Sequence, residues 1–69
     1  MTRKIAANHI NTPDANITLG VVEIEGDIVR RYYPLEAEQP FTEWMGGNIT
    51  IRRTPQGMKA FKSGRLITA

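Results

Sequence analysis

Few residues in this chain have the chemistry to act on a substrate. They are one imidazole (His9), two carboxylates two positions apart (Glu23 and Glu25), the single serine in a Ser63-Gly64 pair, and a run of cations (Arg52, Arg53, Lys59, Lys62, Arg65). A lone His with no Cys excludes a multi-His or thiolate metal site within one chain, and it excludes a Cys nucleophile. His9 therefore reads as a strand-surface imidazole. Glu23 and Glu25 share one face of a strand; paired carboxylates can do acid–base work. With Arg30 opposite, the simpler reading is a solvated face. Ser63-Gly64 is accounted for by a turn and lacks the strand–Ser–helix setting of a nucleophile elbow. Gly46-Gly47 has no following Lys-Ser/Thr and no helix start, so it is not a phosphate loop. No catalytic, cofactor-binding or metal-binding residue is assigned.

Two constellations suit binding instead. Tyr32, Tyr33 and Trp44, the last with Phe41 close by, are candidate interface residues, because Tyr and Trp are enriched where protein contacts carry most of their energy. Of two adjacent tyrosines on a strand, one must face away from the core. The five C-terminal cations with Phe61 among them are the minimum recipe for a nucleic-acid surface. All seven acids (Asp14, Glu23, Glu25, Asp27, Glu36, Glu38, Glu43) precede Trp44, so the charge is split along the chain while the net is only +2. A split of this kind marks a nucleic-acid or membrane surface, unless the two halves cancel in space.

These groups have to be positioned by short β segments. Tight-turn signals punctuate the chain. Gly26-Asp27 separates Ile17–Glu25 from Ile28–Tyr33. Thr54-Pro55-Gln56-Gly57 separates 48–53 from 58–62, and Ser63-Gly64 leads into 65–68. Gly supplies positive φ and Pro presets the first turn angle. The Gly26-Asp27 pair fits a type II′ hairpin, which sets Glu25 opposite Ile28, Ile24 opposite Val29 and Glu23 opposite Arg30. Arg3–Ile10 is the first strand, and Asn11–Asn16 is a turn by composition. Ile17, Leu19 and Val21 alternate on one face, then Val22 and Ile24 on the other; Gly20 at that switch predicts a β-bulge. Pro34 ends its strand or marks an edge. Leu35–Thr42, bracketed by Pro34 and Pro40, predicts a loop or at most one helical turn.

The expected fold is all-β: a single domain over 1–69, a small, mainly antiparallel sandwich or open barrel of five to six hairpin-joined strands. Its expected core is Ile5, Ile17, Leu19, Val22, Ile24, Val29, Trp44, Ile49, Ile51, Phe61 and Leu66. A chain of 69 residues buries only about 60% of its unfolded surface, so its core is marginal. Without disulfides or metal, self-association is the remaining source of added stability. The absence of Cys suits a reducing cytoplasm. The opening residues lack an apolar h-region, and no apolar run is long enough for a membrane span.

Two segments resemble a known family. Ile5–Asp14 with Leu19–Val29 resembles the N-terminal strands of the amidohydrolase superfamily: a strand, a Thr-Pro-Asp turn, then Gly-Val-Val-x-Ile-x-Gly-x-Ile. Lys59–Ile67 is similar to the C-terminal hairpin that completes the same small composite β-domain. The resemblance spans over half of the chain. It implies a fold like that accessory domain, standing alone. The family's His-x-His ligands belong after the first β segment, where this chain has Pro34-Leu35-Glu36-Ala37-Glu38, and the catalytic barrel is missing. No catalytic or metal position carries over. The sequence thus predicts a non-catalytic protein-interaction or structural module, with a nucleic-acid-binding β-barrel as the alternative.

Overall fold

The computed structural model describes residues 2–37 and 39–69. Seven strands form one open sheet: β1 (Thr2–Asn11), β2 (Asn16–Glu25), β3 (Ile28–Pro34), β4 (Thr42–Trp44), β5 (Asn48–Thr54), β6 (Gly57–Lys62) and β7 (Arg65–Leu66). The order is β3-β2-β1-β5-β6-β7, with β4 also paired to β1. The all-β class is as expected, but the strand count is higher. Two of the pairings, β1 with β4 and β1 with β5, are parallel. The ends of the sheet approach each other without a closing ladder. Lys59 Nζ lies 3.0 Å from Asp27, and the Ala69 N–H donates to the Gly26 carbonyl at 2.6 Å.

The turns follow their residues. Gly26 has φ +66° while Asp27 is not left-handed, and Glu25 pairs with Ile28, as a II′ hairpin requires. Ser63 and Gly64 are both left-handed (φ +51° and +77°), which makes the β6–β7 link a type I′ turn.

The bulge is not at Gly20. The β1–β2 register is continuous through it, with Ala7 opposite Gly20 and His9 opposite Thr18. The switch of faces falls instead at Leu19, which takes φ +57° and drops out of the ladder. Gly20 is needed for space: a Cβ there would lie 2.9 Å from Ile10 Cδ1 and from Ile17 Cγ2. The true bulge is in β3. Ile24 pairs with Val29 but Glu23 pairs with Arg31, leaving Arg30 as the extra residue. The expected Glu23–Arg30 pair is therefore replaced by Glu23–Arg31, and Arg30 bonds Glu25.

β4 and β5 act as one interrupted strand along β1. Lys4, Ile5 and Ala6 pair with Thr42, Glu43 and Trp44, and His9–Asn11 pair with Asn48–Thr50. Between them, Gly46 and Gly47 are left-handed, and Asn8 Oδ1 accepts the Gly47 N–H at 2.7 Å. β4 begins at the last residue of the expected Leu35–Thr42 loop and was not expected as a strand; it forms because its three residues are held by a parallel partner nearly forty positions away.

The core holds Ile5, Ile10, Val22, Ile24, Val29, Ile49, Ile51 and Ile67, with Ala7 and Ala60 filling the narrow places. Four expected core residues are outside it: Leu19, Trp44 and Leu66 are 41%, 58% and 43% exposed, and Phe61 is half-buried. Ile17 is only partly buried, packed against the cluster. Leu66 pairs with Phe61 on the opposite pleat face from Ala60, so both look outward.

Candidate interaction surface

The face of the sheet turned away from this core carries a second, different assembly. Tyr33 lies opposite Val21, Val21 opposite Ala6, and Ala6 opposite Trp44. The register thus sets two aromatic side chains at the ends of a row crossing β3, β2, β1 and β4, with two small residues between them. Val21 and Ala6 are 0% and 2% exposed, because the segment after β3 folds over them. That segment is fixed where the Leu35 N–H donates to the Leu19 carbonyl at 2.8 Å. A shallow depression of about 220 Å³ remains, lined by Ala6, Leu35, Gln39, Thr42 and Trp44.

The adjacent row is charged: Arg31 opposite Glu23, Glu23 opposite Lys4. Glu23 is buried, against the expectation of a solvated face. The β3 bulge brings Arg31 rather than Arg30 to it, at 3.1 Å. The Tyr33 hydroxyl donates to Glu23 Oε2 at 2.6 Å, with Gln39 Oε1 at 3.2 Å from the same hydroxyl. The Arg31 guanidinium sits 5.6 Å from the Tyr33 ring centre, a cation–π distance. The hydrogen bond from Tyr33, helped by Arg31 and Lys4, holds the Glu23 carboxyl below the usual range. Burial, and then the carboxylate beside it, push the Tyr33 phenol up. Both shifts favour the states that this hydrogen bond joins, an ionised carboxyl and a neutral phenol, and together with Arg31 they clamp the Tyr33 ring to the sheet.

Glu25, the other carboxylate of the candidate pair, is exposed and bonds Arg30. His9 is exposed on β1. Among the described residues no three His, Cys, Asp or Glu side chains gather as a metal site would need.

The candidate interface residues separate. Tyr32 packs against the inner core, while Tyr33 and Trp44 share the outer row. Phe41, named with Trp44 as a possible anchor, lies just before β4 and is 94% exposed with φ +58°. Left-handed backbone is costly for a non-Gly residue, by roughly 1–2 kcal/mol. Among the described residues, no strand pairs with the outer edge of β4.

The five basic candidates do not form one field. Arg53 pairs with Asp14 and Lys59 with Asp27, each at 3.0 Å. Lys62 Nζ donates to the Met45 carbonyl. Arg52 and Phe61 share a face, 5.8 Å apart, and Arg65 is exposed on β7. The acidic half thus folds back on the basic half at two points. No helix of the described residues is long and apolar enough to cross a membrane. Comparison of the chain with protein-family models, curated proteins and solved structures finds no match.

Proposed function

We propose that this chain is a small non-catalytic interaction module. Its contact surface is the outer row ending in Tyr33 and Trp44, extended by Phe41, and a second copy of the chain is its first partner. The observation that supports this most strongly is the exposure of two large aromatics, 94% at Phe41 and 58% at Trp44, around a β4 edge with no strand partner among the described residues. Strained backbone that holds an aromatic side chain in solvent is the kind of outlier that accompanies binding sites. The polar clamp beneath supports the same reading, because it fixes Tyr33 before contact and lowers the entropy lost on binding. Contact through the face is favoured over pairing along β3. That edge carries a bulge at Arg30, two arginines and Pro34, all devices that discourage strand addition.

A reducing cytoplasm fits a chain without Cys. The likeness to the amidohydrolase composite domain is consistent with a stand-alone β module without chemistry, and no bound metal or hydrolase activity is expected. Nucleic-acid binding is the second reading. It rests on Arg52 over the Phe61 ring, and it is weakened by the Asp14 and Asp27 pairs and by the place of Arg65, which pairs with Lys62 on the opposite pleat face from Phe61.

Trp44 is the only tryptophan, so its emission reports on this surface directly. On concentration from about 1 to 100 μM, a range that spans contacts of roughly −8 to −6 kcal/mol, the emission should shift to the blue and resist acrylamide quenching. An emission spectrum and quenching constant independent of concentration would count against the proposal. Retention on immobilised oligonucleotide that falls steeply with salt would favour the second reading.

A further inference from the structure

A groove separate from the aromatic row lies between the end of β4 and the β7 segment. Its volume is about 660 Å³, within the usual range of roughly 300–1,000 Å³ for binding clefts. Its lining includes three cations, Arg3, Lys62 and Arg65, and no carboxylate. Met45, Leu66 and Ile67 supply the apolar part. Both rims are strand edges. β4 pairs only with β1, and β7 only with β6, among the described residues.

The backbone pattern says which groups face the gap. The Ile67 N–H donates to the Ala60 carbonyl, so Ile67 turns its polar groups toward β6. By alternation Leu66 and Thr68 turn theirs the other way. The Arg3 bonds agree with this: its Nη1 donates to the Thr68 carbonyl at 2.8 Å, while Nε and Nη2 hold the Glu43 carboxylate of β4. Lys62 likewise reaches the Met45 carbonyl at 3.0 Å. The gap is therefore spanned by two cationic side chains rather than by a strand. The Arg65 side chain makes no hydrogen bond or ion pair among the described residues, and the residue is exposed.

We propose that this groove receives an extended acidic segment of a partner protein, added as a strand along β7. Strand addition uses main-chain hydrogen bonds for affinity and side-chain pockets for specificity. Alternate side chains of such a segment point to opposite faces. Carboxylates on one face meet Lys62 and Arg65, and the apolar side chains of the other rest on Leu66. Glu43 neutralises Arg3, so the charge left in the groove is that of Lys62 and Arg65, which selects an acidic occupant by charge complementarity and raises its association rate at low salt.

The test is an NMR titration of the full chain with an acetylated octapeptide alternating Glu and Val, followed through backbone amides. The expected result is saturable binding with shifts confined to residues 43–45 and 62–68, and slowed exchange of the Leu66 amide. Arg65→Glu should weaken this binding by about tenfold or more, the effect of reversing one close charge. Arg52→Glu, on a different face, should leave it within about twofold. Arg65 has no partner to lose, so the variant should fold, as its amide dispersion will report. Absence of saturation at about 1 mM peptide would overturn the proposal. So would equal loss in both variants, which means diffuse charge. Shifts of the groove amides with protein concentration alone would assign the groove to a second copy. Stronger binding of an oligothymidylate than of the peptide would assign it to nucleic acid.

Discussion

The two faces of β2 bury neighbouring valines to the same extent by different means. Val22 and Val21 are both 0% exposed. Val22 lies in a packed aliphatic cluster with Ile5, Ile24, Ile49 and Ile51, brought together by the curl of the sheet. Val21 lies under a covering segment, between Ala6 and Tyr33, next to a buried carboxylate. The inner face gains its stability from apolar area, about 1.5–3 kcal/mol for each large side chain fully buried. The outer face buries small side chains and places its large ones at the rim, where they remain available. One face holds the fold together and the other presents a surface.

The largest separation between the faces should come from truncation. Ile24→Ala should cost about 2–5 kcal/mol, because the cavity it leaves is walled on all sides. Val21→Ala should cost about 1.5 kcal/mol, two methyl groups at about 0.8 kcal/mol each, since the covering segment can settle onto it. Chemical denaturation measures both; equal losses would erase the distinction. Gly26→Val comes next, at more than about 1 kcal/mol. Nothing lies within 4 Å of a Cβ at Gly26, so that loss would be purely backbone and would test the II′ hairpin joining the strands of both faces.

Acid and alkali should act on the outer face. Glu23 is held below its ordinary value of 4.5, so its contribution is present above that pH and lost as pH falls through the lowered pKa. Glu25 and Glu43 are shifted the same way by Arg30 and Arg3, so the acid limb is shared. Tyr33 is raised above 10.0, so stability is intact below that value and falls as pH rises through the raised pKa. Thermal melts across pH should show a plateau with both limbs. Glu23→Gln should make the acid limb shallower, and an unchanged limb would mean the clamp carries no stability. The smallest effect is expected at Phe41→Gly. Relief of the left-handed strain and the added freedom of the unfolded chain nearly cancel, leaving the melt within about 0.5 kcal/mol.

Much of the inner face was legible in the sequence, and little of the outer one. Alternation in Val22-x-Ile24 and Ile49-x-Ile51, with Gly and Pro at the turns, locates six strands within a few residues of their ends. Those signals are local. Ile10 and Val21 were missed from the buried set because the face switches at Leu19, and a left-handed Leu leaves no mark in composition. Glu23 was read as solvated because the β3 bulge, one residue at Arg30, decides which arginine meets it. Tyr33 and Trp44 were each singled out, but their sharing of a row depends on the parallel β1–β4 pairing. A three-residue strand flanked by Pro40 and Gly46 carries no periodicity from which a distant partner can be inferred. Phe41 was singled out beside Trp44, but its left-handed backbone leaves no mark in composition.

The central claim, that the aromatic row is a contact surface, is tested most directly by sedimentation equilibrium on the wild-type chain and on Trp44→Gln. At about 100 μM a contact of roughly −6 to −8 kcal/mol is substantially populated. A mass above the monomer is expected for the wild type and a monomer for the variant, with similar melting curves for both. A strictly monomeric wild type, or a variant that associates equally well, would contradict it.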